Sequence, residues 1–493
     1  MKLINSKNKK GSLLLGVVFF SAISISLVTA FIGWSVSLSR VSNTVLDKEQ
    51  AFQIADAGID YYRWHLAHDP DDFQDGTGTS GPYVHVFYNR NDIAIGEFSL
   101  DITAPSEGSN LVTITSTGSI YDNPDATRSI QAKLAIPSFA QWAVVSNDNL
   151  KFDEGTEVYG PIHSNQGVRM DGIAYNIVTS SVSDYDDPDH DGDNEFAVHT
   201  HVKPPPETGT YDDALGSVAA ETPPATMADR TDVFSAGREF PTTTADFVGM
   251  SGDFSEMKTA SQTNGSYLSS SGAYGYRIQL KTDGTYDLYR VAKLVQQSGS
   301  CIDPGNQDGW DLWSIKTTGG ETFIDNYDVP ADGIIFVEDD VWVSGQVDRY
   351  RVTIVAATFP DVPSDRKNII INNDLTYTNY DGQDAIGLIA QDNINIGLRS
   401  ADHLRIDGAL IAQNGRIGRY YYSDQCTSYY ARDELTLFGA IATYGAHEFY
   451  YDDGSGYAAI SINYDSNLLY GPPPYFPLAD EAYSTVSWKE VAN

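Results

Sequence analysis

The chain has 493 residues with 67 acidic and 31 basic side chains, a formal net charge of −36. Residues 1–46 hold four lysines, Arg40 and no acid, a charge of +5, so the remainder carries −41. Such a surface excludes nucleic-acid binding through phosphates and suits divalent cations, a salty exterior or basic partners, although solubility alone also accounts for it. The length allows two or three domains.

The first element is a helix. Lys2, Lys7, Lys9 and Lys10 precede Gly11, and no charge follows until Arg40. A run of roughly 20 apolar residues spans the hydrocarbon core as a helix, and Gly11–Ser39 exceeds that. The basic end predicts a cytoplasmic N-terminus, with the acidic bulk outside a single membrane pass. Helical periodicity continues beyond the apolar run. Ala51, Ala55, Gly58, Tyr62 and Leu66 place small and apolar groups on one face, as a packing stripe does. The alternatives are a secretory signal cut near Leu27–Ala30 and a plain signal anchor on an unrelated ectodomain.

Residues 69–94, rich in Gly, Asp, Asn and Pro, read as loop. Three period-two runs follow within 95–137, GEFSLDITA, NLVTITSTGSI and TRSIQAKLAI, separated by turn-forming residues; they predict an antiparallel meander. Short apolar strands with Gly and Asn corners fill 138–180 and return over 331–460. There Gly387, Gly408 and Gly439 each precede small and branched apolar residues, 21 and then 31 residues apart. Coils of roughly this length predict a parallel β-helix or solenoid, and the alternative is an antiparallel β-sandwich. Residues 181–330 read as an insertion holding an acidic loop, proline-rich stretches, a short helix near DFVGMSGDFSEMKTASQ and a hairpin joined by Asp283-Gly284. Residues 461–493, with Pro472–Pro474 and Pro477 between aromatics, predict an extended cap across the last coil. The fold class is α+β: a long N-terminal helix with a small sheet, then a mainly-β domain.

The leader KNKKG before SLLLGVV resembles a class III signal, the kind that prepilin peptidase cuts, here between Gly11 and Ser12. EQAFQIADAGIDYYRWHL resembles the end of the N-terminal helix of minor pilins and pseudopilins of the PilX kind. The resemblance covers residues 1–68. It implies a leader over 1–11, a mature helix over 12–68 beginning at an N-methylated Ser12, and packing through Ala51, Ala55 and Gly58. The implied partners are other pilins, the pilus assembly platform, prepilin peptidase and membrane lipid. Major pilins carry Glu at mature position five; Gly16 stands there, as in the tip pseudopilins of type II secretion systems, which points to a minor or tip subunit. Large minor-pilin-like membrane proteins of bacteria also resemble the whole arrangement, including the PPPYFP ending before Trp488-Lys489-Glu490.

The sharpest candidate for chemistry is DYDDPDHDGDNE. Asp187, Asp189, Asp191, Asp193 and Glu195 alternate around Gly192, as closely spaced oxygens do in a calcium loop. Position 12 is Val198 and no flanking helices are expected, so the alternative is a solvated acidic loop. Tip pseudopilins of type II systems bind calcium, which favours the cation by resemblance only. His190, His199 and His201 lie nearby and are expected on the surface, lacking a third ligand of zinc-site spacing. Cys301 and Cys426 allow one disulfide outside the cell. Asp339, Asp340, Asp348 and Arg349 are the only set offered for a carbohydrate-cleaving groove, and no motif fixes their geometry; no catalytic signature appears. The 31 tyrosines suit an adhesive surface for a glycan or protein.

Overall fold

The computed structural model describes residues 10–105, 110–189, 194–211, 221–224, 226–247, 253–296, 301, 313–451, 453–469, 471–479 and 482–491. They form two compact units. The first comprises Met1–Ala104, Val112–Leu134 and Thr485–Asn493, the second Pro105–Leu111 and Ala135–Ser484.

The first unit is built on helix α1, Lys10–His68. At 1.5 Å per residue its 59 residues extend roughly 90 Å. It changes character along its length. From Leu13 to Leu46 its large apolar side chains are exposed, and it alone among the described residues is long and apolar enough to cross a membrane. From Ala51 onward one stripe is buried: Ala51, Ile54, Ala55, Tyr62 and Leu66 are at most 1% exposed. The stripe packs on a five-stranded sheet ordered β1 (Tyr83–Tyr88), β2 (Ala94–Thr103), β3 (Val112–Ile120), β4 (Asn123–Ala135) and a last strand, Ser484–Val491. The pairings through β4 are antiparallel. Phe98 and Leu100 of β2 and Val112, Ile114 and Ile120 of β3 face the helix side of the sheet.

Two strands of this sheet depart from the sequence reading. β1 lies in the stretch expected to be loop. Its outward residues Val84, Val86 and Tyr88 are apolar and exposed, so the hydrophobic alternation that marks a half-buried strand is missing. The second is Ser484–Val491, expected in a cap over the last coil. It lies beside β4, where the Trp488 indole donates to Asp56 Oδ1 (3.2 Å) and meets Phe52 edge-on. Arg128 of β4 pairs with Glu490.

The second unit is mostly β, with parallel ladders. One ladder steps through Ser266–Leu268, Ile334–Val337, Arg351–Ala356, Ala385–Ala390 and the ends of His403–Ala412 and Ala431–Thr443. It then continues through Val144–Ser146, Ile162–Ser164, Val178–Ser180 and Arg238–Glu239. A second runs Gly275–Leu280, Val341–Val347, Ile369–Ile370, Ile394–Ile396, Ile417–Arg419 and His447–Glu448. A third joins the ends of Val341–Val347 and Leu375–Tyr377 to the starts of the two long strands, then Gly456–Tyr464, Thr156–Tyr159 and Ile173–Ala174. Inward-facing Val, Ile and Leu from these steps fill one continuous core.

The order of steps differs from the order of the chain. The chain enters in mid-ladder at Val144, proceeds to one end at Glu239, and resumes at the other end with Ser266 before returning beside Val144. The stretch 181–330 therefore supplies both end steps rather than a detached insertion. Its helix α2, Asp253–Thr263, packs Phe254 and Met257 against an outer apolar layer with Phe139, Phe336 and Ile411. Its hairpin, Gly275–Leu280 with Thr285–Val291, gains a third antiparallel strand, Glu321–Asp328.

Of the three glycines in the sequence repeat, Gly408 and Gly439 are in register, with φ of 156° and 147°. Each sits where one long strand passes from the third ladder to the first, and a Cβ on Gly439 would meet the Gly408 carbonyl oxygen at 1.9 Å. Gly387 pairs instead with Ala409 and is not their equivalent.

The proline segment lies along the first ladder, not across an end. Arg351 donates to the Gly471 and Pro472 carbonyls and Thr353 to that of Pro474. Entry and exit of the unit are neighbours: Ser138 bridges Leu478, and Ser484 Oγ donates to the Ala135 carbonyl at 3.2 Å.

Candidate functional site

Gly11 and Ser12 fall in the first turn of α1. Ala51, Ala55 and Gly58 are brought together on the packed stripe. Their small size is required by what opposes them. Gly118 of β3 lies so close that a Cβ there would stand 2.1 Å from the Ala51 carbonyl oxygen and 2.5 Å from the Ala55 nitrogen. A Cβ on Gly58 would reach Ser116 Oγ at 2.3 Å and Phe98 at 2.9 Å. Sequence reasoning found the helix half of this contact and missed Gly96 and Gly118 on the sheet, which read as ordinary interruptions of strands.

Of the acidic loop, Asp187, Asp189 and Glu195 are described. Asp191, Asp193 and His190 lie outside the described residues. Asp187 is 3% exposed and turns inward. Asp189 turns to Lys151, 2.8 Å from its Nζ. Glu195, also buried, accepts from the Asp187 backbone N–H at 3.2 Å. Among the described residues no three carboxylates converge; the one convergent set is Asp187, His199 and His201, whose ligand atoms all lie within 4.8 Å of one another.

The two histidines, expected on the surface, are fully buried. His199 pairs with Arg169 across the Val198–His199 and Val168–Met170 strands. His201 is fixed through its backbone N–H, which donates to Asp171 Oδ1 at 2.7 Å. Asp171 also receives Arg169 Nε at 2.6 Å. Asp187 Oδ2 stands 3.3 Å from His199 Nε2, 3.9 Å from His201 Nε2 and 3.6 Å from Arg169 Nη1. Burial raises the Asp187 carboxyl, but the His199 imidazole, the Asp189 N–H and the Arg169 charge outweigh it and hold it at about 2. Tyr185, packed on His199, is pushed well up, chiefly by burial and then by Asp187. Arg169, Tyr185 and Asp187 line a cavity of about 250 Å³ that also touches His447. Arg169 and Asp171 escaped the sequence reading because their partners come from a strand about thirty residues on, with no motif to link them.

Asp339, Asp340, Asp348 and Arg349 do not form one site. Asp339 accepts from Ser271 N and Oγ, and Asp340 braces Asn368 N and Nδ2. Burial raises Asp340 to about 6. Asp348 accepts from Asn379 Nδ2, and the Arg349 N–H donates to Asp384. Each braces a turn between ladder steps. Cys301 and Cys426 are joined in a disulfide, packed with Leu398 and Tyr422.

No protein-family model matches the chain, and no curated protein does. Among solved structures it is similar to the competence-associated pilin ComZ from Thermus thermophilus. That match has 14% identity and a TM-score of 0.31, and it covers 90% of this chain and 97% of that one. A likeness at this level carries no argument about fold or function.

Proposed function

We propose that this chain is a minor pilin or pseudopilin of the PilX-like kind, cut after Gly11, held in the membrane by α1 and drawn from there into a type IV pilus or a type II secretion-like filament. One observation carries the reading. A single helix runs unbroken from an exposed apolar half, Leu13–Leu46, into a half clamped by an antiparallel sheet at Ala51–Leu66. A plain tether needs no such continuity, whereas a filament subunit uses the apolar half twice, first against lipid and then against neighbouring helices. The basic end would lie in the cytoplasm and both β units outside.

A tip or priming position follows from Gly16, which offers no carboxylate to a preceding subunit's amino terminus, and from the bulk of the second unit. The parallel ladders support reading that unit as a β-helix. It would serve display or contact with a surface glycan or protein rather than catalysis.

Mass spectrometry of the N-terminus from native membranes tests the proposal. A chain beginning at N-methylated Ser12, lost on Gly11→Trp, is expected. An intact Met1 terminus would leave an anchored adhesin independent of any filament, and cleavage near Ala30 a secreted β-protein. Stoichiometric amounts along purified filaments would refute the tip position.

A further inference from the structure

The buried cluster around Asp187 has a composition that packing alone does not explain. Arg169, Asp171, Asp187 and Glu195 are each at most 5% exposed. Polar atoms buried without a partner are costly. His199 stands out. Its ring is fully buried, and neither of its nitrogens has a hydrogen-bond partner among the described residues; the same holds for Asp187 Oδ2. The 3.3 Å approach of His199 Nε2 to that oxygen therefore lacks hydrogen-bond geometry. Two atoms that approach without bonding to each other suit a common third atom.

We propose that Asp187, His199 and His201 bind a divalent transition metal of the zinc class, with Asp187 Oδ2 and the two Nε2 atoms as ligands. Distances and donor type agree. Bonds of about 2.0–2.2 Å in a tetrahedron place ligand atoms roughly 3.3 Å apart, and the two separations from Asp187 Oδ2 are 3.3 and 3.9 Å. Two imidazoles and one carboxylate select zinc, cobalt or nickel over calcium, which takes six to eight oxygens. Asp171 serves as a positioning residue, holding the His201 backbone through its N–H and drawing the Arg169 guanidinium by its Nε. Asp187 also lines the 250 Å³ cavity, which gives an ion a path in and room for a water as fourth ligand. The site would tie Asp187 to His199 and His201 beside the Val168–Met170 strand.

The test uses the full chain in detergent, stripped with chelator and titrated with Zn²⁺ or Co²⁺. One equivalent of Co²⁺ should bind and give the d–d absorption of a tetrahedral ion. X-ray absorption on the zinc form should show two imidazoles. Asp187→Asn and His199→Gln should weaken binding at least a hundredfold, while Asp189→Asn, outside the ligand set, leaves it unchanged. Because a ligand variant could misfold, the wild-type spectra decide on their own. Zinc bound without imidazole scattering, calcium bound in preference to zinc, or less than one-tenth of an equivalent of either transition ion overturns the proposal.

Discussion

Gly118→Ala offers a direct examination of how the first unit is held together. The added Cβ would sit 2.1 Å from the Ala51 carbonyl oxygen and 2.5 Å from the Ala55 nitrogen. Both are helix backbone, so no side-chain rotation relieves the clash. Ordinary contact begins at 3.4 Å, so α1 and β3 must part by roughly 1 Å. A radial gap of that size forfeits a quarter to a half of the dispersion energy of the atoms it separates, and overpacking a filled core costs about 1–3 kcal/mol. Loss of glycine from the unfolded chain returns about 0.5–1 kcal/mol, which leaves a net loss of about 1–2 kcal/mol. Hydrogen exchange of β3 amides 113–119 in the full chain should show opening eased by that amount. Gly58→Ala should do less harm, because its nearest obstacle is the rotatable Ser116 Oγ and helix propensity repays about 1 kcal/mol. Gly16→Ala and Gly33→Ala, with nothing within 4 Å, should leave β3 exchange unchanged. Unchanged or slower exchange in Gly118→Ala would refute the close-packing argument.

Burial lowers the His447 imidazole to about 4, in ring contact with Phe152 and Phe449. The unfolded chain then binds the extra proton first, so this stability is complete above pH 6.5 and is lost as pH falls from about 6.5 to about 4. The loss amounts to about 3 kcal/mol. Denaturant titrations across that range should show the slope, and His447→Gln should flatten it; an identical pH dependence in the variant counts against burial of the neutral ring. Reducing the Cys301–Cys426 disulfide, which closes a loop with a sequence separation of 125, should cost the second unit about 2–5 kcal/mol. Calorimetry with and without reductant measures it, and an unmoved transition would mean that the packing with Leu398 and Tyr422 suffices alone.

Parts of the molecule were legible wherever periodicity met burial on one face. The α1 stripe, the meander at β2–β4, helix α2 and the hairpin before Asp328 all have that property. β1 was hidden because apolar groups occupy its solvent face, and the last strand because prolines before it suggested a continuing loop. The parallel ladders were suggested by texture, but their order was not, since no local signal tells a strand at Val144 that its neighbour lies at Ile441. The corner glycines Gly408 and Gly439 carried real information, while Gly387 matched them only by composition. At the Asp187 cluster the alternating acids drew attention to the loop, but not to the two buried histidines that Asp187 meets there. His199 is brought there by a pairing with Arg169 and His201 by a backbone bond to Asp171, and pairing register is invisible in a run of short strands.

Ala135 and Ser484 lie side by side within the second unit, where Ser484 Oγ donates to the Ala135 carbonyl. A load applied along α1 would be borne by the helix–sheet contact and by the bonds joining β4 to the Ser484–Val491 strand. Within the first unit such a load would meet backbone packed on backbone, Gly118 against Ala51 and Ala55, which cannot yield by turning a side chain.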